Sequence, residues 1–204
     1  MFDVLSELKL IEKPKLEEVD KKSELIILVG LTKNSLDDLK KELQAQIDLA
    51  KSIGIKPTHI DSHEGALFFD QSIFKTYLDI GEENQLPVFV PKEVAVHFDK
   101  SFPKPENVVI VENMYMALPN LEFKDWSDYY VNVIENLKPG LNEIIVHLGY
   151  DDKEMQQITI EHPNYGSKWR NLDMDVVSSE SFKQAIEKNN IKLVTWREIQ
   201  KVIY

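Results

Sequence analysis

Pro57-Thr58-His59-Ile60-Asp61-Ser62-His63 sets three polar side chains at alternate positions in a stretch otherwise fit for a buried strand. Extended backbone puts residues i, i+2 and i+4 on one face, so the spacing predicts that His59, Asp61 and His63 point the same way. The chain holds five histidines in all, and two of them flanking a carboxylate point to a metal or acid/base site. At a rise of roughly 3.3 Å per residue, however, about 13 Å separates the Cα atoms of His59 and His63, too far for one ion unless the strand bends. His63 is therefore the better ligand, and a second ligand must come from elsewhere. Asp61, roughly 6.6 Å from His63 by the same rise, could join it on the ion or hold a ligand or water from behind.

Upstream of this stretch, Leu36, Leu39, Leu43, Ile47 and Ala50 recur at three- and four-residue spacing behind Asn34 or Ser35, either of them a good N-cap. That predicts an amphipathic helix ending near Gly54 and feeding the strand directly. Residues 1–34, where charges surround the apolar run 25–31, read as loop with a short strand or turn. Downstream, helices are expected over 70–83 and 125–137, the second closed by Gly140, with strands at 86–90, 108–111 and 143–147 and a Pro-rich turn around Pro103 and Pro105. A helix capped by Ser178 or Ser179 and running to Asn189, a strand at 191–195 and a helix at 197–203 complete the order. Helices and strands alternating to the end predict an α/β fold with a largely parallel sheet, in a single domain over 1–204.

Composition narrows the chemistry. With 204 residues, 43% of them hydrophobic, the chain can bury one good-sized core. There is no cysteine, so disulfides, thiolate nucleophiles and Cys-ligated zinc are excluded, and a metal would need His, Asp, Glu and water. The 24 Lys and Arg against 35 Asp and Glu give a net charge of −11, which repels a phosphate backbone and disfavours nucleic acid as a partner. The run 25–31 is far short of the ~20 apolar residues a membrane helix needs, and Met1-Phe2-Asp3-Val4 shows no basic, apolar leader. A soluble, cytoplasmic protein is expected.

In parallel α/β folds sites lie outside the carboxyl ends of strands, and His63 and His147 each end a predicted strand. His59 begins its strand and lies deeper. His97 and His162 fall in predicted loops beside charge or proline and read as solvated. Arg170 and Asp173, three residues apart, could pair on one helical turn and buttress a site, or form only a surface ion pair worth ~0–1 kcal/mol. Asp37-Asp38 is more simply a first-turn acidic pair favoured by the helix dipole. No Gly-rich phosphate loop or Gly-x-Ser-x-Gly elbow is present.

The stretch 57–63, preceded by Lys41-Glu42-Leu43-Gln44-Ala45-Gln46-Ile47, resembles the YdjC-like carbohydrate deacetylases. Ile145-Val146-His147-Leu148-Gly149-Tyr150-Asp151 looks like that family's second histidine motif, Arg170 with Asp173 like its Arg-x-x-Asp turn, and Leu193-Val194-Thr195-Trp196-Arg197-Glu198 like its C-terminal strand and helix. The resemblance covers roughly 36–204. It implies a TIM-like β/α barrel that removes acetyl groups from N-acetylated sugars or oligosaccharides with a divalent metal ion, Mg or Zn. It further implies that His63 is a metal ligand and His147 the acid/base histidine, with Asp61 beside His147 in catalysis and His59, Arg170 and Asp173 in support.

Departures from the family pattern are equally legible. Its Asp-Asp-x-Gly element, the source of the catalytic base, and its Gly-x-His-x-x-Leu strand, the source of a further ligand, are not in this sequence, and Leu148 stands where a proline usually follows the second histidine. The expectation is an incomplete barrel, the C-terminal part of a deacetylase, with weak metal binding and negligible deacetylation on its own. Its exposed strand edges would invite pairing with a second copy or with a chain supplying the missing strands. The alternative is a non-catalytic remnant that binds sugar or completes a partner chain.

Overall fold

The computed structural model describes residues 33–98, 106–162 and 164–204; the loop expected over most of 1–34, its apolar run and the Pro-rich turn around Pro103 and Pro105 lie outside them. The described chain falls into two compact units. One takes in residues up to Ile110 together with Thr195–Tyr204, the other Val111–Val194.

In the first unit the leading helix, α1 (Lys33–Ser52), starts before the N-cap expected at Asn34 or Ser35. It stops where the sequence said, at Gly54, whose φ of +88° suits glycine. The Ile55 N–H bonds back to the Ala50 carbonyl and the Gly54 N–H to that of Lys51, which satisfies two otherwise orphaned carbonyls. Ile47, on the predicted apolar stripe, packs with Ile80 and Leu86. Asp70 caps α2 (Gln71–Glu83) by accepting from the Ser72 and Ile73 N–H groups, and the helix buries Ile73, Phe74, Tyr77, Leu78 and Ile80. That is the side its periodicity predicted.

Strand β1 (Val88–Pro91) is buried at all four positions, the continuous apolar pattern of a strand covered on both faces. It pairs with β2 (Val108–Val111). Between them α3 (Lys92–Phe98) buries Ala95 and Phe98, so His97, expected in a loop, is instead an exposed residue in the last helical turn. Three residues of separation between those two apolar positions make one helical face. The C-terminal α8 (Trp196–Ile203) opens on a reciprocal capping box between Thr195 and Glu198. It is tied down where the Arg197 guanidinium donates to the Lys56 carbonyl at 2.9 Å and the Gln200 amide to the Gln85 carbonyl at 3.3 Å.

The second unit carries a parallel pair, β3 (Asn113–Tyr115) with β4 (Asn142–Ile144), registered Asn113 to Asn142 and Tyr115 to Ile144. Around it lie α4 (Trp126–Glu135), α5 (Lys153–Ile158), α6 (Ser167–Ser178) and α7 (Glu180–Lys188). Its core includes Ala117, Trp126, Tyr130, Ile134, Trp169, Val176, Phe182 and Ala185. Ser179 caps α7 as expected.

The protein is thus mixed α/β with short parallel strands, but the described strands form two two-stranded sheets and no closed barrel. Two expected strands are not strands. The run 57–63 keeps one parallel bridge, Ile60 to Val88, and 191–195 is irregular, with Leu193 73% exposed. At the second position α7 claims the backbone: Asn190 turns left-handed at φ +51° and the Ile191 N–H bonds back to the Ile186 carbonyl.

Candidate functional site

A single parallel bridge sets Ile60 alongside β1. Ile60 donates to the Pro87 carbonyl at 3.0 Å and accepts from the Phe89 N–H at 3.1 Å. The buried Tyr77 hydroxyl lies 2.9 Å from both the Ile60 and Phe89 carbonyls and ties the two segments together. Burial pushes that phenol well above its ordinary value, so it stays a donor. Then the ladder stops. Asp61 Oδ1 accepts from the Ser62 N–H at 2.6 Å and Ser62 Oγ from the Leu67 N–H at 2.8 Å, local bonds that compete with strand pairing. His63 consequently opens a 3-10 turn, His63–Phe68, kinked at Glu64 and Gly65 with φ of +53° and +67°.

The three alternating side chains therefore meet different surroundings. His59 is half-buried and stacks on the Trp196 indole, ring centroids 4.2 Å apart and 5° from parallel. Asp61 is exposed, and the His63 side chain is 81% exposed with Nε2 4.0 Å from the Glu64 carboxylate. Among the described residues no three His, Asp or Glu side chains gather as metal ligands would.

Burial holds the His59 imidazole below its ordinary value of 6.5, while the Asp61 charge pulls partly the other way. The unfolded chain thus binds more protons at that position. Its stabilising contribution is present above the unfolded value and drains away as pH falls through it toward the folded one. We expect melting temperature to drop between about pH 7.5 and pH 5.5, and His59→Gln to flatten that dependence. Identical pH slopes in the two proteins would refute the assignment.

In the second unit β4 delivers the chain to His147, which is half-buried three residues beyond the last paired position. Its backbone N–H donates to Asp173 Oδ2 at 2.8 Å. Asp173, on α6, is fully buried, and its Oδ1 accepts from Trp126 Nε1 at 2.8 Å and from the Tyr130 hydroxyl at 3.0 Å. The Tyr130 phenol is pushed up, first by burial and then by the Asp173 charge. Asp173 does not pair with Arg170 as the spacing suggested. Arg170 Nε instead donates to the Tyr165 carbonyl at 2.8 Å. Helix α6 turns Trp169, Asp173 and Val176 inward, so the Asp173 carboxyl is taken up by donors in the core, while the half-buried Arg170 turns to the Tyr165 carbonyl.

The loop after His147 is tethered to the same helix. The Asp151 N–H donates to Asn171 Oδ1 at 3.2 Å, and a Cβ on Gly149 would come within 3.1 Å of Met155 and 3.2 Å of Arg170. Hydrogen bonds from Gln156 and Ser167 draw the Asp151 carboxyl below its ordinary value. The sequence reading missed Trp126, Tyr130 and Tyr165 as partners of this histidine and its carboxyl anchor. One signal was available: Asp173 falls between Trp169 and Val176 on an apolar helical stripe, where a lone acid must find donors in the core.

A family model described as YdjC-like protein matches residues 12–188. The match starts within residues 1–34 and ends before the C-terminal run at 193–198. Carbohydrate deacetylases of Clostridium beijerinckii and Thermoanaerobacter pseudethanolicus are each 24% identical to this chain, over 166 and 161 residues. Those matches cover 80% and 79% of this chain but 62% and 59% of the relatives' own length. A solved structure from Enterococcus faecalis, described as a candidate cellobiose-phosphate cleavage protein, shares the fold with a TM-score of 0.60 at 21% identity, covering 80% of this chain and 61% of that one.

Proposed function

This chain belongs to the YdjC-like family, and we propose that it acts as a carbohydrate deacetylase, hydrolysing the N-acetyl group of an amino sugar or oligosaccharide. Two curated deacetylases to which it is similar support the reaction class. The observation that carries it is the mounting of His147: a half-buried imidazole three residues beyond β4, whose backbone is held by a buried carboxyl group at 2.8 Å. A general acid needs that combination of fixed position and access.

In the proposed reaction water adds to the acetamide carbonyl, the C–N bond breaks and acetate leaves. His147 gives its proton to the departing amine, and Asp61, an exposed carboxylate, is the second catalytic group proposed. His63 is the proposed ligand of a divalent ion, Mg or Zn, which when bound would polarise a carbonyl oxygen and acidify water.

The test is acetate release from N-acetylglucosamine oligomers, with and without added Mg or Zn. We expect slow, ion-dependent release that disappears in His147→Ala and weakens in His63→Ala. Oligosaccharide binding with no release in any condition would overturn the enzymatic reading in favour of a sugar-binding role. Release that persists undiminished in His147→Ala would overturn the assignment of the acid.

A further inference from the structure

We infer that Tyr165 is the positioning residue that fixes the imidazole of His147, an inference that rests on the deacetylase reading above. Tyr165 has a φ of +60°, the left-handed region that a bulky aromatic residue rarely enters and that persists only where its surroundings impose it. Here they do. Arg170 Nε holds the Tyr165 carbonyl at 2.8 Å, and the Ser167 N–H, two residues on, is held by Thr159 Oγ1 at 3.1 Å.

The strain sets the ring in a particular place. Its centroid lies 4.5 Å from that of the buried Trp169 and 5.1 Å from that of His147, tilted by 40° and 58°. Trp169 in turn stands edge-on to Trp126 at 4.7 Å. An aromatic column thus runs Trp126, Trp169, Tyr165 and ends on the imidazole. Asp173 fixes the backbone of His147 and Tyr165 bears on its ring, and both are held through α6. Arg170 thereby has a task of its own, bracing the strained turn, in place of the expected ion pair with Asp173. Glycine would take this backbone conformation without strain, but it would supply no ring.

Two variants separate ring from backbone. Tyr165→Gly accepts the same φ and deletes the ring, whereas Tyr165→Phe keeps the ring and deletes only the hydroxyl. In spectra of histidine-labelled protein, with His147 assigned by the signal missing from His147→Gln, we expect its ring protons to carry an aromatic ring-current shift. That shift should survive in Tyr165→Phe and vanish in Tyr165→Gly. Acetate release should fall roughly ten- to a hundredfold in Tyr165→Gly through kcat rather than KM, and recover in Tyr165→Phe. An unmoved His147 signal in Tyr165→Gly, or wild-type turnover in that variant, would overturn the inference while leaving the deacetylase reading intact. A wild-type chain that releases no acetate would overturn that reading and this role with it.

Discussion

Asp173→Ala is expected to destabilise the protein by about 3–5 kcal/mol, the range found when one partner of a buried polar network is removed. Three donors converge on this carboxyl group: the Trp126 indole and Tyr130 hydroxyl on one oxygen, the His147 N–H on the other. Trp126 is 1% exposed and Tyr130 fully buried, so water cannot easily replace what the mutation takes away. Each buried donor left without an acceptor costs about 1–3 kcal/mol, offset in part because the acid itself no longer needs to be buried. Asp173→Asn should lose less, since the amide keeps one acceptor oxygen but turns its NH2 toward whichever donor faces the other side. Urea denaturation gives the magnitude, and amide exchange at His147 reports its local anchor. A loss below about 1 kcal/mol for the alanine variant would show that the network is not what holds this unit together.

The second large effect carries an unusual sign. Replacing glycine by alanine inside a helix ordinarily stabilises by roughly 0.5–1 kcal/mol, but Gly81→Ala in α2 should destabilise by about 1–3 kcal/mol. A Cβ there would fall 2.1 Å from Val88 Cγ2, 3.1 Å from the Leu86 carbonyl and 3.2 Å from Asn107 Nδ2. Val88 is fully buried in β1, and its branched side chain is stiff at χ1. The double variant Gly81→Ala, Val88→Ala should therefore cost less than the sum of the two singles, since the second truncation opens the space the first one needs. Additive losses, or a stabilised Gly81→Ala, would mean that α2 and β1 are not in the close register described.

Much of the local architecture was legible from residue spacing. The apolar stripe of α1, the buried face of α2, the strand at 108–111 and the cap of α7 all depend on contacts within a few residues, which sequence displays directly. The helices α3, α5 and α6 escaped notice because each is short or carries its apolar face among charges, so no long periodic signal marks it. The strand expected over 57–63 failed for a different reason. Alternation of polar and apolar side chains is necessary for a strand, but Asp61 and Ser62 bond their own neighbourhood and end the pairing after Ile60.

By itself the sequence determined the residue types available for chemistry: no thiols, five histidines, a strongly acidic balance, and the two histidine motifs that match one family. It determined the course of α1, α2, α4 and α7, because caps and apolar periodicity act over one or two turns. Only the tertiary structure decided what the key side chains do. Arg170 and Asp173 are three residues apart, yet one braces Tyr165 and the other is buried under His147, because each meets a different segment packed against α6. His59 was separated from His63 by a stack on Trp196, 137 positions along the chain. Such pairings are settled by which surfaces meet when the core closes, and no spacing along the chain records them.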